Sequence, residues 1–231
     1  ITLCPNNTLF RTANGTATKK YTKLGLNTYR ITVVAYGAGG TATTITKDIQ
    51  VQSNFTPDPS IVTNLTGTGS KTWKVDKDIS AHFGVGPWSV TSVTPEWYAA
   101  APNEKTACCN CFYSSSFTCT KTPTGYTLTV ATPDGAFTKT GALAGGLPGI
   151  PASGAEACYN YAGGTSPFSF VPASSGIATG TKTSILLSGN NTFIGYGAVL
   201  KEYEILSLSA TSLYLRVQGT ETGNAWYIKL K

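Results

Sequence analysis

The chain has 231 residues, with 41% hydrophobic and 12% charged residues, a net charge of +6, 25 glycines, 12 prolines and no methionine. This excludes a disordered polyelectrolyte, and the size fits one large β domain or two smaller ones. The basic residues are scattered, with Lys19-Lys20 the only adjacent pair, so no nucleic-acid footprint is expected.

The low charge and the 37 threonines favour an extracellular all-β protein. No apolar run is long enough to span a membrane, which leaves membrane attachment to an anchor outside this sequence. The first residue, Ile1, suggests a processed or excised chain. Six cysteines, at 4, 108, 109, 111, 119 and 158, suit an oxidising compartment and disulfides, with the pairing open.

In chain order, Tyr29–Tyr36 and Thr41–Val51 flank Gly37-Ala38-Gly39-Gly40 and predict a hairpin. A hairpin alone buries no core, so residues 1–53 are expected to form a small, partial or divergent sandwich module. Residues 54–60, with Pro57 and Pro59, read as a linker. Residues 61–231 read as a larger β-sandwich or jelly roll. Its expected strands are 71–75, 112–119, 126–130, 168–171, 184–187, 203–208, 212–217 and 225–230, separated by turn residues. Helix is expected only at 61–65 and within 96–107.

Candidate chemistry is sparse. Glu202 and Glu204 are two apart on an expected strand, a spacing that could serve glycoside hydrolysis or merely an outer strand face. Asp76 and Asp78 share that spacing, and a structural calcium ion is the one cofactor they leave room for. The lone His82 excludes a multi-histidine metal site and weakens any Ser–His–Asp reading. It can hydrogen-bond a ligand hydroxyl or hold its glycine-rich loop to a neighbour. Four cysteines within 108–119 could bind zinc, but the adjacent pair favours disulfides. No phosphate-binding loop, dinucleotide fingerprint or HExxH motif occurs. Asn-x-Thr sequons begin at Asn6, Asn14, Asn54, Asn64 and Asn190.

The aromatics point furthest. Trp73 and Trp226 lie in strand-like sequence and are expected in the core. Trp88, Trp97 and Tyr98 lie in loop-rich sequence, followed by Asn103, Glu104 and Lys105. Rigid rings on loops can stack on sugar faces while polar neighbours bond the hydroxyls, or they can simply cap the fold. Tyr159, Tyr161 and Tyr196 are further loop candidates.

The stretch from Tyr29 to Val51, with Tyr-Arg-Ile-Thr-Val-Val-Ala-Tyr-Gly-Ala-Gly-Gly, resembles the last two strands of an Ig-like PKD domain. The Trp-x-Phe-Gly-Asp-Gly stretch of such domains is absent. Three later stretches resemble a C-terminal module of Bacteroidota surface glycan-binding lipoproteins from polysaccharide-utilisation systems. They run from Leu65 through Trp73 to Asp76, from His82 to Pro87 with Pro95-Glu96-Trp97-Tyr98, and from Phe193 through Glu204 to Tyr227. The likeness covers about 170 residues and is moderately specific. It implies a non-catalytic protein at the outer-membrane surface that holds polysaccharide, foremost a laminarin-type β-glucan, for a glycan transporter complex. On this reading Trp88, Trp97, Tyr98, Asn103, Glu104, Lys105 and His82 form the ligand site. Family 16 glycoside hydrolases offer an enzyme alternative, but their Glu-Ile-Asp-x-x-Glu core is missing. A structural or adhesion spacer is the third reading.

Overall fold

The computed structural model describes residues 2–3, 8–9, 15–16, 19–197, 199–221 and 223–231. Cys4 lies outside them. The chain is all-β and divides into two compact units, residues 1–55 and 56–231.

In the first unit β1 (Thr2–Leu3), β2 (Thr8–Leu9), β3 (Gly25–Tyr36) and β4 (Ala42–Ser53) form one antiparallel sheet in the order β2-β1-β3-β4. The β3–β4 hairpin is in continuous register from Gly25↔Ser53 to Tyr36↔Ala42. Gly37 N donates to Thr41 O at 2.8 Å, and Gly40 turns the chain at φ 78°. Tyr29 is buried against Tyr21, with ring centroids 4.1 Å apart. Arg30 and Asp48 form a two-pronged surface ion pair, which contributes little in water.

The second unit begins inside the expected linker. Asp58 Oδ1 accepts from Ser60 N at 2.8 Å and caps α1 (Pro59–Thr66), with Pro59 in the first turn where its missing N–H costs nothing. Trp73 Nε1 donates to Leu65 O at 3.0 Å and anchors this helix.

The strands that follow are β5 (Ser70–Trp73), β6 (Phe83–Pro87), β7 (Tyr98–Ala99), β8 (Ser116–Thr122), β9 (Gly125–Ala131), β10 (Ala136–Thr138), β11 (Ala157–Tyr159), β12 (Gly164–Pro172), β13 (Thr183–Leu187), β14 (Val199–Leu208), β15 (Leu213–Gly219) and β16 (Asn224–Leu230). Helical turns α2 (Thr106–Cys109) and α3 (Cys111–Ser114) precede β8. Ten strands form one antiparallel sheet in the order β5-β8-β9-β12-β13-β14-β15-β16-β6-β7, and β10 pairs with β11.

This sheet curls back on itself. Just past β5, Lys74 N donates to Lys231 O at 2.9 Å and Lys231 N to Lys74 O at 2.8 Å, around a Val75↔Leu230 bridge. One long edge of β16 is thus shared between residues 74–76 and β6. The curled sheet packs its faces as a β-sandwich does, with strands from β8 through β16 following chain order. Trp73, Phe117, Leu128, Ile185, Tyr203, Leu215, Val217 and Ile228 fill it and are at most 1% exposed. Each such Leu, Ile, Val or Phe contributes about 1.5–3 kcal/mol.

Two local expectations change. The strand expected at 112–119 starts only at Ser116. Phe112 lies in α3, where Ser115 Oγ donates to Cys111 O at 2.7 Å and closes the turn. The glycine-hinged loop at 82–88 contains β6. Its glycines are needed because residues 94–98 cross directly over them. A Cβ on Gly84 would lie 2.3 Å from Tyr98 O and 2.4 Å from Pro95 Cβ. Gly84→Ala is therefore expected to cost about 3 kcal/mol and to raise hydrogen exchange in residues 94–99. Unchanged thermal stability would contradict this packing.

Candidate functional site

The segment after β6 is nailed to the outer face of the sheet. Arg216 and Glu204, opposite each other on β15 and β14, form a buried pair with Nη2–Oε2 at 2.5 Å and Nε–Oε2 at 2.9 Å. Arg216 Nη1 donates to Ser89 O at 2.7 Å and Ser92 O at 2.5 Å, and the Trp88 ring lies 4.5 Å from the guanidinium carbon. Tyr214 donates to Val93 O and Tyr227 to Ser92 O. Ser175 Oγ donates to Glu204 Oε1 at 2.6 Å, while Ser174 N and Oγ donate to Glu202. Both carboxylates of the sequence pair therefore hold backbone loops in place.

The expected binding residues divide accordingly. Trp88 is half-buried over Arg216 and packs on the cluster of Ile177, Leu206, Ala225 and Tyr227. Trp97 is 60% exposed. Tyr98 is half-buried, its ring edge-on to that of Phe83 with centroids 6.4 Å apart, and its hydroxyl donates to Glu104. Trp88, Trp97 and Tyr98 make no ring contact with one another among the described residues. Trp88 and Tyr98 are each held by partners of their own, and Trp97 is the exposed ring of the three.

Asn103, Glu104 and Lys105 come together beside Tyr98. Asn103 occupies a left-handed turn at φ 59°, tied by its N–H to Lys77 O at 2.7 Å. Glu104 accepts from Tyr98 and from Ala101 N, and these bonds hold its carboxyl below the usual range. Burial, then the hydrogen bond to Glu104, pushes the Tyr98 hydroxyl up. Lys105 has a side chain only 16% exposed. Its ammonium lies 5.0 Å from the Tyr98 ring and 5.8 Å from both Phe83 and Phe137, a cation–π seat. Its nearest carboxylate is Glu104 Oε1 at 3.8 Å, and among the described residues it makes no hydrogen bond. A nearly buried ammonium with free donors is suited to a ligand oxygen.

His82 is removed from the ligand set because it is fully buried. Its Nδ1–H donates to Ile79 O at 2.8 Å, so Nε2 is the acceptor for Tyr113 O–H at 2.8 Å. Tyr113 in turn accepts from Lys105 N at 3.0 Å. His82 thus positions the lysine from behind.

Behind Lys105 lies an aromatic layer that sequence reasoning saw only as separate rings. Phe83 stacks on Trp226 at 5.4 Å, and Tyr196 lies 5.1 Å from Phe83, 5.2 Å from Phe137 and 4.5 Å from Trp226. Tyr196 donates to Glu156, and Lys139 pairs with Glu221 beside Trp226. Lys139, Glu156 and Glu221 carry no local signal, since glycine-, alanine- and proline-rich sequence surrounds the first two. Of the other candidates, Tyr159 is half-buried. Tyr161 is buried at a groove of about 460 Å³ shared with Asn160 and Asn191.

The remaining motifs are structural. Asp76 and Asp78 converge on Lys231 Nζ at 2.9 and 2.5 Å, so a cation of the chain itself sits between them. No cluster of three or more metal-ligating side chains occurs among the described residues. Cys111 bonds to Cys158 and Cys108 to its neighbour Cys109, a pairing that the sequence had left open. Cys119 is a buried thiol that burial pushes up to about 12. No helix is long and apolar enough to cross a membrane among the described residues.

The chain matches no protein-family model and no curated protein sequence. The PKD-like and glycan-binding likenesses therefore rest on the residue stretches that carry them.

Two outcomes follow from this geometry. Burial lowers the His82 pKa, so the unfolded chain takes up the proton first as pH falls below about 6.5. His82 is thus expected to drain stability on acidification, and His82→Gln should flatten the loss between pH 6.5 and 5 in urea melts. An equally steep loss in the variant would contradict this. Cys111→Ser with Cys158→Ser opens a loop of sequence separation 47 and is expected to cost about 2–4 kcal/mol, read as a lower denaturation midpoint.

Proposed function

We propose that this chain is a non-catalytic, extracellular glycan-binding protein. Its ligand is a polysaccharide of β-glucan type, and its contact patch is formed by Trp97, Tyr98, Glu104 and Lys105. The observation that carries the reading is Lys105, whose ammonium sits on aromatic rings, Tyr98 among them, without a hydrogen bond among the described residues; Trp97, one residue before Tyr98, is 60% exposed. An apolar face flanked by a free donor and a carboxylate matches a sugar ring with its hydroxyls. The non-catalytic part is supported by Glu202 and Glu204, whose oxygens are occupied by Ser174, Ser175 and Arg216.

Water competes for every hydroxyl, so single-site affinity is expected to be weak and display on a surface would raise it. An outer-membrane location and delivery to a glycan transporter belong to the same proposal, as do the spacing role and PKD-like character of residues 1–53.

Native affinity gels cast with laminarin, mixed-linkage glucan, chitin derivatives and α-glucan test the reading. Retardation by laminarin without new reducing ends is expected. Trp97→Ala should weaken it by about tenfold, the loss of one stacked ring. Unchanged retardation in a folded Trp97→Ala protein, or release of reducing sugar, would overturn it.

A further inference from the structure

We propose that the bond between Cys108 and Cys109 is a thiol-exchange site. A thiol opens it while the fold and the Cys111–Cys158 disulfide stay intact, and opening loosens the turn that seats Lys105. The consequence for ligand binding rests on the glycan reading of the patch that Lys105 belongs to.

The two disulfides differ in what they hold. Cys111–Cys158 has a sequence separation of 47 and closes a long loop, so it restrains the unfolded chain. Cys108–Cys109 has a separation of 1 and closes nothing beyond its own ring, so it gains no such stabilisation. Their access differs as well. Cys111 is 2% exposed, whereas Cys108 lies exposed at the surface with Cys109 buried behind it. Both members of the adjacent pair lie in α2, where successive side chains point about 100° apart. The bond holds them together against that divergence, and opening lets them separate.

The exchange proceeds in two steps. A thiolate attacks the exposed Cys108 sulfur and bonds to it. The Cys108–Cys109 bond breaks, and the Cys109 sulfur leaves with the electron pair and takes up a proton, because a buried thiolate is disfavoured. A second thiolate then attacks the sulfur of the first and releases Cys108, which also takes up a proton. Two external thiols are oxidised to one disulfide, and the protein gains two electrons and two protons as two cysteine thiols.

The link to the patch runs through one carbonyl. Lys105 is the residue that opens α2, and its O accepts from Cys109 N at 2.9 Å, with Cys108 Sγ 3.9 Å from the same oxygen. A helical turn of four residues has little stability of its own in water. When Cys108 and Cys109 separate, the N–H that holds the Lys105 carbonyl moves with them. The Lys105 ammonium then loses its fixed seat over Tyr98 and Phe83, and a seat that is no longer preorganised binds more weakly.

The test equilibrates the full chain with graded dithiothreitol, traps thiols with N-ethylmaleimide in denaturant and maps them by peptide mass spectrometry. Cys108 and Cys109 are expected to be trapped at about a tenth or less of the dose that opens Cys111–Cys158. At a dose that opens only the adjacent pair, amide exchange across residues 105–110 should rise about tenfold, and retardation by laminarin should weaken about tenfold. Cys108→Ser with Cys109→Ser should reproduce both effects without reductant and respond no further to it. The reductant titration of the native chain decides the matter if that variant does not fold.

Opening of both disulfides at the same dose, or an adjacent bond that resists until the chain unfolds, would overturn the exchange site. Selective opening with exchange at 105–110 and retardation unchanged would overturn the coupling to Lys105. Selective opening with faster exchange, in a chain that no polysaccharide retards when oxidised, would support the exchange site and overturn the glycan reading instead.

Discussion

The buried Arg216–Glu204 pair is the interaction on which the candidate site most depends. Removing two charges from water is costly, and the pair repays this only when the remaining donors and acceptors are met. Here they are met by backbone from elsewhere. Ser89 and Ser92 supply carbonyls to the guanidinium, and Ser175 supplies a hydroxyl to both partners. The charges therefore organise two loops as well as two strands. Losing either partner leaves an uncompensated buried charge and frees the segment that leads to Trp97.

From that anchor the geometry runs outward. The pinned segment crosses β6 at Gly84 and Gly86, where its backbone comes close enough to exclude any side chain. It delivers Tyr98 to the edge of the sheet opposite Val85. His82 and Tyr113 then set the backbone of Lys105 from the other side. The Cys111–Cys158 disulfide joins the turn beyond Lys105 to β11, two residues after Glu156. Each support is polar or covalent, whereas the surface it presents is aromatic. This division suits recognition, because rigid rings bind with little further loss of side-chain entropy.

Much of the architecture was legible beforehand. The expected strands at 126–130, 184–187, 203–208 and 225–230 lie inside observed ones, since alternating apolar residues between turn formers have few other outcomes. The β3–β4 hairpin was marked by its glycines. The β6 strand was hidden because Gly84, Gly86 and Pro87 carry turn propensity, and only the segment lying over them makes an extended strand the better state. Phe112 read as strand for the opposite reason: its aromatic and β-favouring neighbours outweighed the helical turn that Ser115 and the disulfide impose.

The candidate site shows the same boundary. Trp97, Tyr98, Glu104 and Lys105 lie within nine residues, and their proximity was visible without a structure. Trp88 could not be separated from them, because its seat on Arg216 joins positions 128 residues apart in a chain of 231. The sequence by itself determined the all-β class, most strand positions and the aromatic character of the 97–105 segment, all of which follow from period and composition within short windows. Tertiary structure alone decided that Glu202 and Glu204 accept hydrogen bonds from Ser174, Ser175 and Arg216, that His82 is buried against Tyr113, and that Tyr196, Trp226 and Lys139 meet at one end of the sheet. Those outcomes depend on which distant strands share an edge, and pairing energy is settled by mutual burial that no local window contains.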